Sequence, residues 1–191
     1  MPGKPITYVR RVTNLSDARY CAGMGVDMLG YSIDPDHADY VSPKLYQEMS
    51  GWVAGPRRVI ELTRPIDPVA LIEQYKPELI HIHSDHVGHI TLPELPLILE
   101  TDFAVCEQAL RNVSMMGLRT EYLLITGLNG QAFSNDFHPL LIDLRAGTGS
   151  GLALLRQYDA DGIAMTGTHE QAPGLKDYDH LAQVLEDIDR M

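Results

Sequence analysis

The residues of this chain whose types and spacing could do chemistry stand at the ends of short apolar runs. Two arginines, Arg10 and Arg11, close the first run, ITYVRRV. A guanidinium has five donors, no acceptor and no accessible neutral form, so this pair can bind or stabilise negative charge but cannot take a proton. Four histidines, His81, His83, His86 and His89, fall within nine residues. His81 and His83 share one face of an extended chain, and with Asp85 they could offer three ligands to one metal ion. His86 and His89 read equally well as solvated side chains. The segment RAGTGSG carries Gly147, Gly149 and Gly151, with Thr148 or Ser150 able to cap a following helix. Such a loop can aim backbone N–H groups at a phosphate, and the same glycines also suit plain tight turns. Cys21 and Cys106 are the only cysteines and show no CxxC spacing. They read as buried small apolar residues, so neither a disulfide framework nor a thiolate zinc site is indicated. Glu61, between Ile60 and Leu62, reads either as an inward partner for an arginine or as an exposed edge residue.

The elements that must position these residues follow from periodicity. Eight apolar runs bounded by turn residues predict strands over 6–12, 27–33, 57–63, 79–83, 95–100, 121–126, 139–144 and 161–167. Helical patterns lie between most of them: NLSDARYCAGMG, PVALIEQY, AVCEQALRNVSMM, GLALLRQY and DHLAQVLEDI. The segment GLNGQAFSNDFH is too short for a full helix, and LPELPLILE is rich in proline. Strands alternating with helices, at about 24 residues per unit, predict one (βα)8 TIM barrel spanning residues 1–191. A three-layer, doubly wound sheet is the alternative. In a barrel, chemistry sits where strands end. The candidates are then Arg10 and Arg11, His37 and Asp39, Thr63 and Arg64, His83 with Asp85 and His86, Thr126, Asp143 with Arg145, and Thr166 with His169.

Bulk charge removes several function classes. The net charge is −11 and the isoelectric point near 5.0, so binding to nucleic acid or to an anionic membrane has no basic surface to work through. The start, MPGKPITYVRR, lacks an apolar signal core, and no run approaches the roughly 20 apolar residues of a membrane span. A cytoplasmic protein is expected.

Several fragments, in order and at consistent spacing, carry a family resemblance. They are YVRRVTN followed by SDA and MLGYSI, HADYVSP at 37–43, HIHSDH at 81–86, and MTGTHE followed by PGLKD. With them the chain resembles, along almost its full length, the phosphoribosylanthranilate isomerase family, barrel enzymes of tryptophan biosynthesis that need no cofactor. The resemblance implies a site and several departures from it. Arg10 stands where the family has its catalytic cysteine, the general base of an Amadori rearrangement, and Arg11 where the family motif has glycine. With EYLLIT as strand six, the family's acidic aspartate is replaced by Thr126, whose hydroxyl is far too weak an acid. With LLID as strand six, the acid is kept as Asp143 and RAGTG becomes the glycine loop. The arginine that would clamp the anthranilate carboxylate is replaced by Asp39, reversing the charge. His83 and Asp85 coincide with a family His and Asp that bind no metal. Thr166 and Gly167 stand where a Ser-Gly pair contacts phosphate.

Two readings of the first strand end follow: an Arg10 to Asp39 bridge in a dead site, or Arg10 and Arg11 as clamps for an anionic ligand. Three function classes follow in turn. The first is an isomerase of weak or lost activity that keeps phosphate binding through Gly147, Thr148, Gly149, Thr166 and Gly167. The second is a non-catalytic barrel that binds a phosphorylated ligand or a protein partner. The third is a metal-dependent hydrolase built on the strand-four histidines.

Overall fold

The eight apolar runs become eight parallel strands, because residues buried on both faces leave a strand no polar face to show to water. The computed structural model describes residues 4–128, 139–144, 151–167, 170–172, 175–176 and 179–190. Its strands are β1 (Ile6–Arg10), β2 (Met28–Ser32), β3 (Arg57–Leu62), β4 (Leu79–His83), β5 (Leu97–Asp102), β6 (Thr120–Thr126), β7 (Leu140–Asp143) and β8 (Gly162–Thr166). Each pairs with the next, and β8 returns to β1 in the register Ile6 to Gly162 through Arg10 to Thr166, closing the barrel. The doubly wound alternative is therefore excluded. The seam needs a glycine: a Cβ at Gly162 would sit 2.2 Å from the Ile6 carbonyl oxygen. Thr126 ends the sixth strand and Asp143 the seventh, so the alignment that made LLID strand six, with Asp143 as its acid, is corrected.

Helices α1 (Leu15–Gly23), α3 (Val69–Tyr75), α4 (Cys106–Met115), α5 (Gly151–Tyr158) and α6 (Asp179–Asp189) occupy the expected helical patterns. Asn14 caps α1 by accepting from the Asp17 N–H at 3.0 Å. A further helix, α2 (Pro43–Ser50), was not expected. Ser42 caps it, accepting from the Leu45 N–H, and Pro43 occupies its first turn. After β4 the connection holds only a 3-10 turn over Ser84–His89. After β8 a short antiparallel ribbon, β9 (Glu170–Ala172) with β10 (Leu175–Lys176), precedes α6.

Two apolar layers result. Between strands and helices lies the larger one, which contains Cys21 and a cluster of Tyr31, Tyr46 and Tyr75 with ring centroids 5.1 Å apart. Inside the barrel one residue from each strand forms a plug: Tyr8, Met28, Val59, Leu79, Ile98, Leu124, Leu141 and Ala164. Both cysteines are free and buried. Among the described residues no helix is long and apolar enough to cross a membrane.

Candidate functional site

Because side chains alternate along a strand, the residue two positions beyond each plug residue also points inward, one step nearer the C-terminal strand ends. That step takes the chain from an apolar plug to a polar ring: Arg10, Gly30, Glu61, His81, Glu100, Thr126, Asp143 and Thr166. Arg10 is the hub. Its Nη2 donates to Asp143 Oδ1 at 2.8 Å and its Nη1 to Glu100 Oε2 at 3.2 Å. Burial opposes the charge on Arg10, but Asp143 and Glu100 outweigh it and hold the guanidinium above its ordinary range.

Glu100 Oε2 also lies 2.7 Å from His81 Nε2. Burial alone would raise the Glu100 pKa, yet the hydrogen bond and charge of His81, with the charge of Arg10, bring it down to about 2. An ionised carboxylate only accepts, so His81 Nε2 carries the proton of that contact. The other ring nitrogen, Nδ1, meets the Tyr8 hydroxyl at 3.1 Å. Tyr8 is fully buried, and burial followed by the charge of Glu61 pushes its hydroxyl well above the phenol range. Glu61 points inward, settling the ambiguity of its sequence position, and its Oε1 accepts from the Arg11 backbone N–H at 2.8 Å. Gly30 makes room for it: a Cβ there would fall 2.0 Å from Glu61 Oε1.

The other sequence candidates divide. The expected Arg10 to Asp39 bridge is not formed: Arg10 pairs across the barrel mouth with β5 and β7, while Asp39 is buried beside His37, 3.8 Å from its Nδ1. Thr126 donates to Asp102 Oδ1 at 3.1 Å, so a carboxylate stands beside the threonine from the neighbouring strand. Arg10, Arg11, His37, Glu61, His81, His83, His86 and Glu100 line one cavity of about 300 Å³, with Leu62 and Thr63 completing its wall. Asp85 is exposed and lines instead a groove between the 3-10 turn and α4; its backbone N–H donates to His83 Nδ1. Both ring nitrogens of His81 are engaged with protein groups, and among the described residues no three His, Cys, Asp or Glu side chains come together to hold a metal ion. Thr166 is exposed, and the Gly167 N–H donates to the Arg10 carbonyl at 2.7 Å, so it is not free for a phosphate as expected. Gly147, Thr148, Gly149, Arg145 and His169 lie outside the described residues.

Sequence reasoning missed Glu100, and it left His81 as a metal candidate. The signal was present in period two: on every strand the position two beyond the plug residue is polar or glycine.

No protein-family model and no curated protein sequence matches the chain. Solved structures do. A phosphoribosylanthranilate isomerase in complex with reduced 1-(o-carboxyphenylamino)-1-deoxyribulose 5-phosphate aligns with a TM-score of 0.74 at 15% identity, covering 98% of this chain and 100% of that one. The phosphoribosylanthranilate isomerase of Thermotoga maritima aligns at 0.71 and 15%, and that of Pyrococcus furiosus at 0.68 and 11%, each with the same two coverages. At such identities the likeness is one of fold: this chain has the (βα)8 barrel architecture of the phosphoribosylanthranilate isomerases over nearly its whole length.

Proposed function

We propose that this chain is a diverged barrel of the phosphoribosylanthranilate isomerase lineage, derived from a tryptophan-pathway enzyme, whose mouth binds a phosphorylated small molecule without running the Amadori isomerisation at an enzyme's usual rate. One observation carries this reading: the position of the family's general base is a guanidinium locked between Asp143 and Glu100. Arginine cannot remove a proton, and Glu100, at about pKa 2, is too weak a base to replace it. The acid position is equally altered, since Thr126 is a hydroxyl. Retained phosphate binding is supported by the phosphorylated ligand of the aligned isomerase and by the glycines at 147 and 149, a device that needs backbone rather than an acid or base.

The test is a steady-state assay with phosphoribosylanthranilate, alongside complementation of a tryptophan auxotroph lacking the isomerase. Loss of one acid–base group typically costs 10²- to 10⁴-fold, and two are altered here, so turnover is expected at least about 10³-fold below that of a working isomerase. Full complementation overturns the proposal. Titration with ribose 5-phosphate is expected to move the backbone amide signals of residues 147–150 and 166–168 at millimolar concentration. Unmoved signals would remove the phosphate site and leave the barrel as a scaffold for a protein partner.

A further inference from the structure

We infer that the 300 Å³ cavity on the β1 to β4 side of the mouth is a second anion subsite, in which Arg11 clamps a carboxylate or phosphate group. The inference rests on the proposal that the mouth binds a ligand, and it adds that this ligand is acidic at two separated places. Three observations support it.

The first is backbone strain. Arg11 has φ of 56°, in the left-handed region where a side chain other than that of Gly, Asn or Asp is uncommon. Glu61 holds it there through the Arg11 N–H, and Gly167 closes on the other side, its N–H donating to the Arg10 carbonyl. Glycine would suit this conformation better, so an arginine here points to work done by its side chain. The second is a surplus of donors. Among the described residues the Arg11 guanidinium has no hydrogen-bond or ion-pair partner. Two buried nitrogens also lack hydrogen-bond partners, Arg10 Nε and His86 Nδ1, and both belong to residues lining this cavity. Arg10 is 7% exposed, and its Nε always bears a hydrogen, so only an acceptor can satisfy it. The third is the state of the carboxylates in the same cavity. Glu100 accepts from Arg10 and His81, and Glu61 from the Arg11 N–H. The cavity's own acids are thus occupied while the Arg11 guanidinium and Arg10 Nε are not, and an incoming oxyanion meets donors there.

The experiment separates this subsite from the one at the closing strands. Side-chain nitrogen signals of Arg11, His83 and His86 are followed by NMR in the full chain while inorganic phosphate, and separately acetate, is added, with Arg11→Gly in parallel. Glycine accommodates the positive φ, so this variant is expected to fold. Expected is a shift of the Arg11 and His86 signals with at least one probe, and a loss of affinity of about 10- to 100-fold, read at the His86 signal, in Arg11→Gly, the usual effect of losing one charge-assisted contact. Response to phosphate alone identifies a phosphate subsite, to acetate alone a carboxylate subsite, and to both a general oxyanion site. Each of these supports the inference. Unmoved signals at tens of millimolar of either anion, or equal affinity in Arg11→Gly, overturn it. Shifts at residues 147–150 and 166–168 without shifts at Arg11 and His86 overturn the second subsite alone and leave the proposed phosphate site standing.

Discussion

The barrel's interior plug and its polar ring are built on the same eight strands, two residues apart, and they are held by opposite physics. Plug residues such as Leu124 and Ile98 are fully buried and contribute through apolar area and close packing, each replaceable in principle by a side chain of similar volume. The ring's charged members, Arg10, Glu61, Glu100 and Asp143, are largely buried, and their attraction barely offsets their lost hydration, so the ring contributes little net stability while complete. The two layers therefore differ less in what they add than in how they fail. A plug residue loses in proportion to the volume removed. A ring residue loses by stranding its partners.

Arg10→Ala gives the largest expected effect of this difference. It leaves Asp143 and Glu100 without their shared cation in a buried setting, at a cost of about 3–5 kcal/mol in chemical denaturation. Leu124→Ala is expected to cost about 2–5 kcal/mol by cavity formation. The layers separate on rescue. Glu100→Gln with Asp143→Asn in the Arg10→Ala background should recover most of the loss, because no charge is then stranded, whereas no distant polar change should rescue Leu124→Ala. If the neutralised triple variant stays as unstable as Arg10→Ala, the ring is held by packing like the plug, and the contrast between the layers fails.

How much of this was legible in the sequence differs between the same two layers. The strands that carry the plug were: runs such as LLIT and LIHIH announce strands by composition, all eight formed, and their ends shifted by at most two residues. Helix α2 was missed because its start, Ser42 and Pro43, was read for its motif and not for its capping chemistry, which Ser followed by Pro supplies. The ring was legible only in part. Arg10 was visible as a strand end, but its partners come from β5 and β7, and which strands face each other across a barrel is fixed by closure, not by local pattern. Asp39 was expected as the partner because it replaced a charged family residue. Its loop instead keeps it beside His37. Glu100 was hidden as the last letter of an apolar run, where its role follows only after the plug residue Ile98 has fixed the inward parity.

A pH titration sharpens the comparison at intermediate magnitude. Glu100 titrates at about 2 in the folded chain against an ordinary 4.5. A depressed folded pKa means that its stabilising contribution is full above the unfolded value and is lost as pH falls from about 4.5 toward 2. The depth of that loss is about 3 kcal/mol, since each unit of pKa difference is worth about 1.4 kcal/mol. Urea unfolding at stepwise lower pH should show this decline in the parent chain and a shallower one in Glu100→Gln. Parallel slopes in the two proteins would remove Glu100 from the ring's energetics.

The smallest expected effect concerns Arg11, among the described residues the one at the mouth whose backbone is strained rather than its charge buried. Holding a non-glycine residue in the left-handed region costs about 1–2 kcal/mol, while glycine gives back about 0.5–1 kcal/mol through the larger entropy of its unfolded chain. Arg11→Gly should therefore raise stability by about 0.5–1 kcal/mol, and its backbone N–H can still donate to Glu61. Arg11→Ala keeps the strain and removes the same guanidinium, so it should leave stability nearly unchanged. Thermal unfolding of the two variants side by side isolates the backbone from the side chain. Equal stabilities for Gly and Ala would mean that the positive φ carries no strain, and the first argument for a ligand-directed Arg11 would go with it. A gain confined to glycine would show that the chain tolerates a local instability at the mouth that no packing or hydrogen bond requires, which is the pattern expected where a side chain is kept for what it binds.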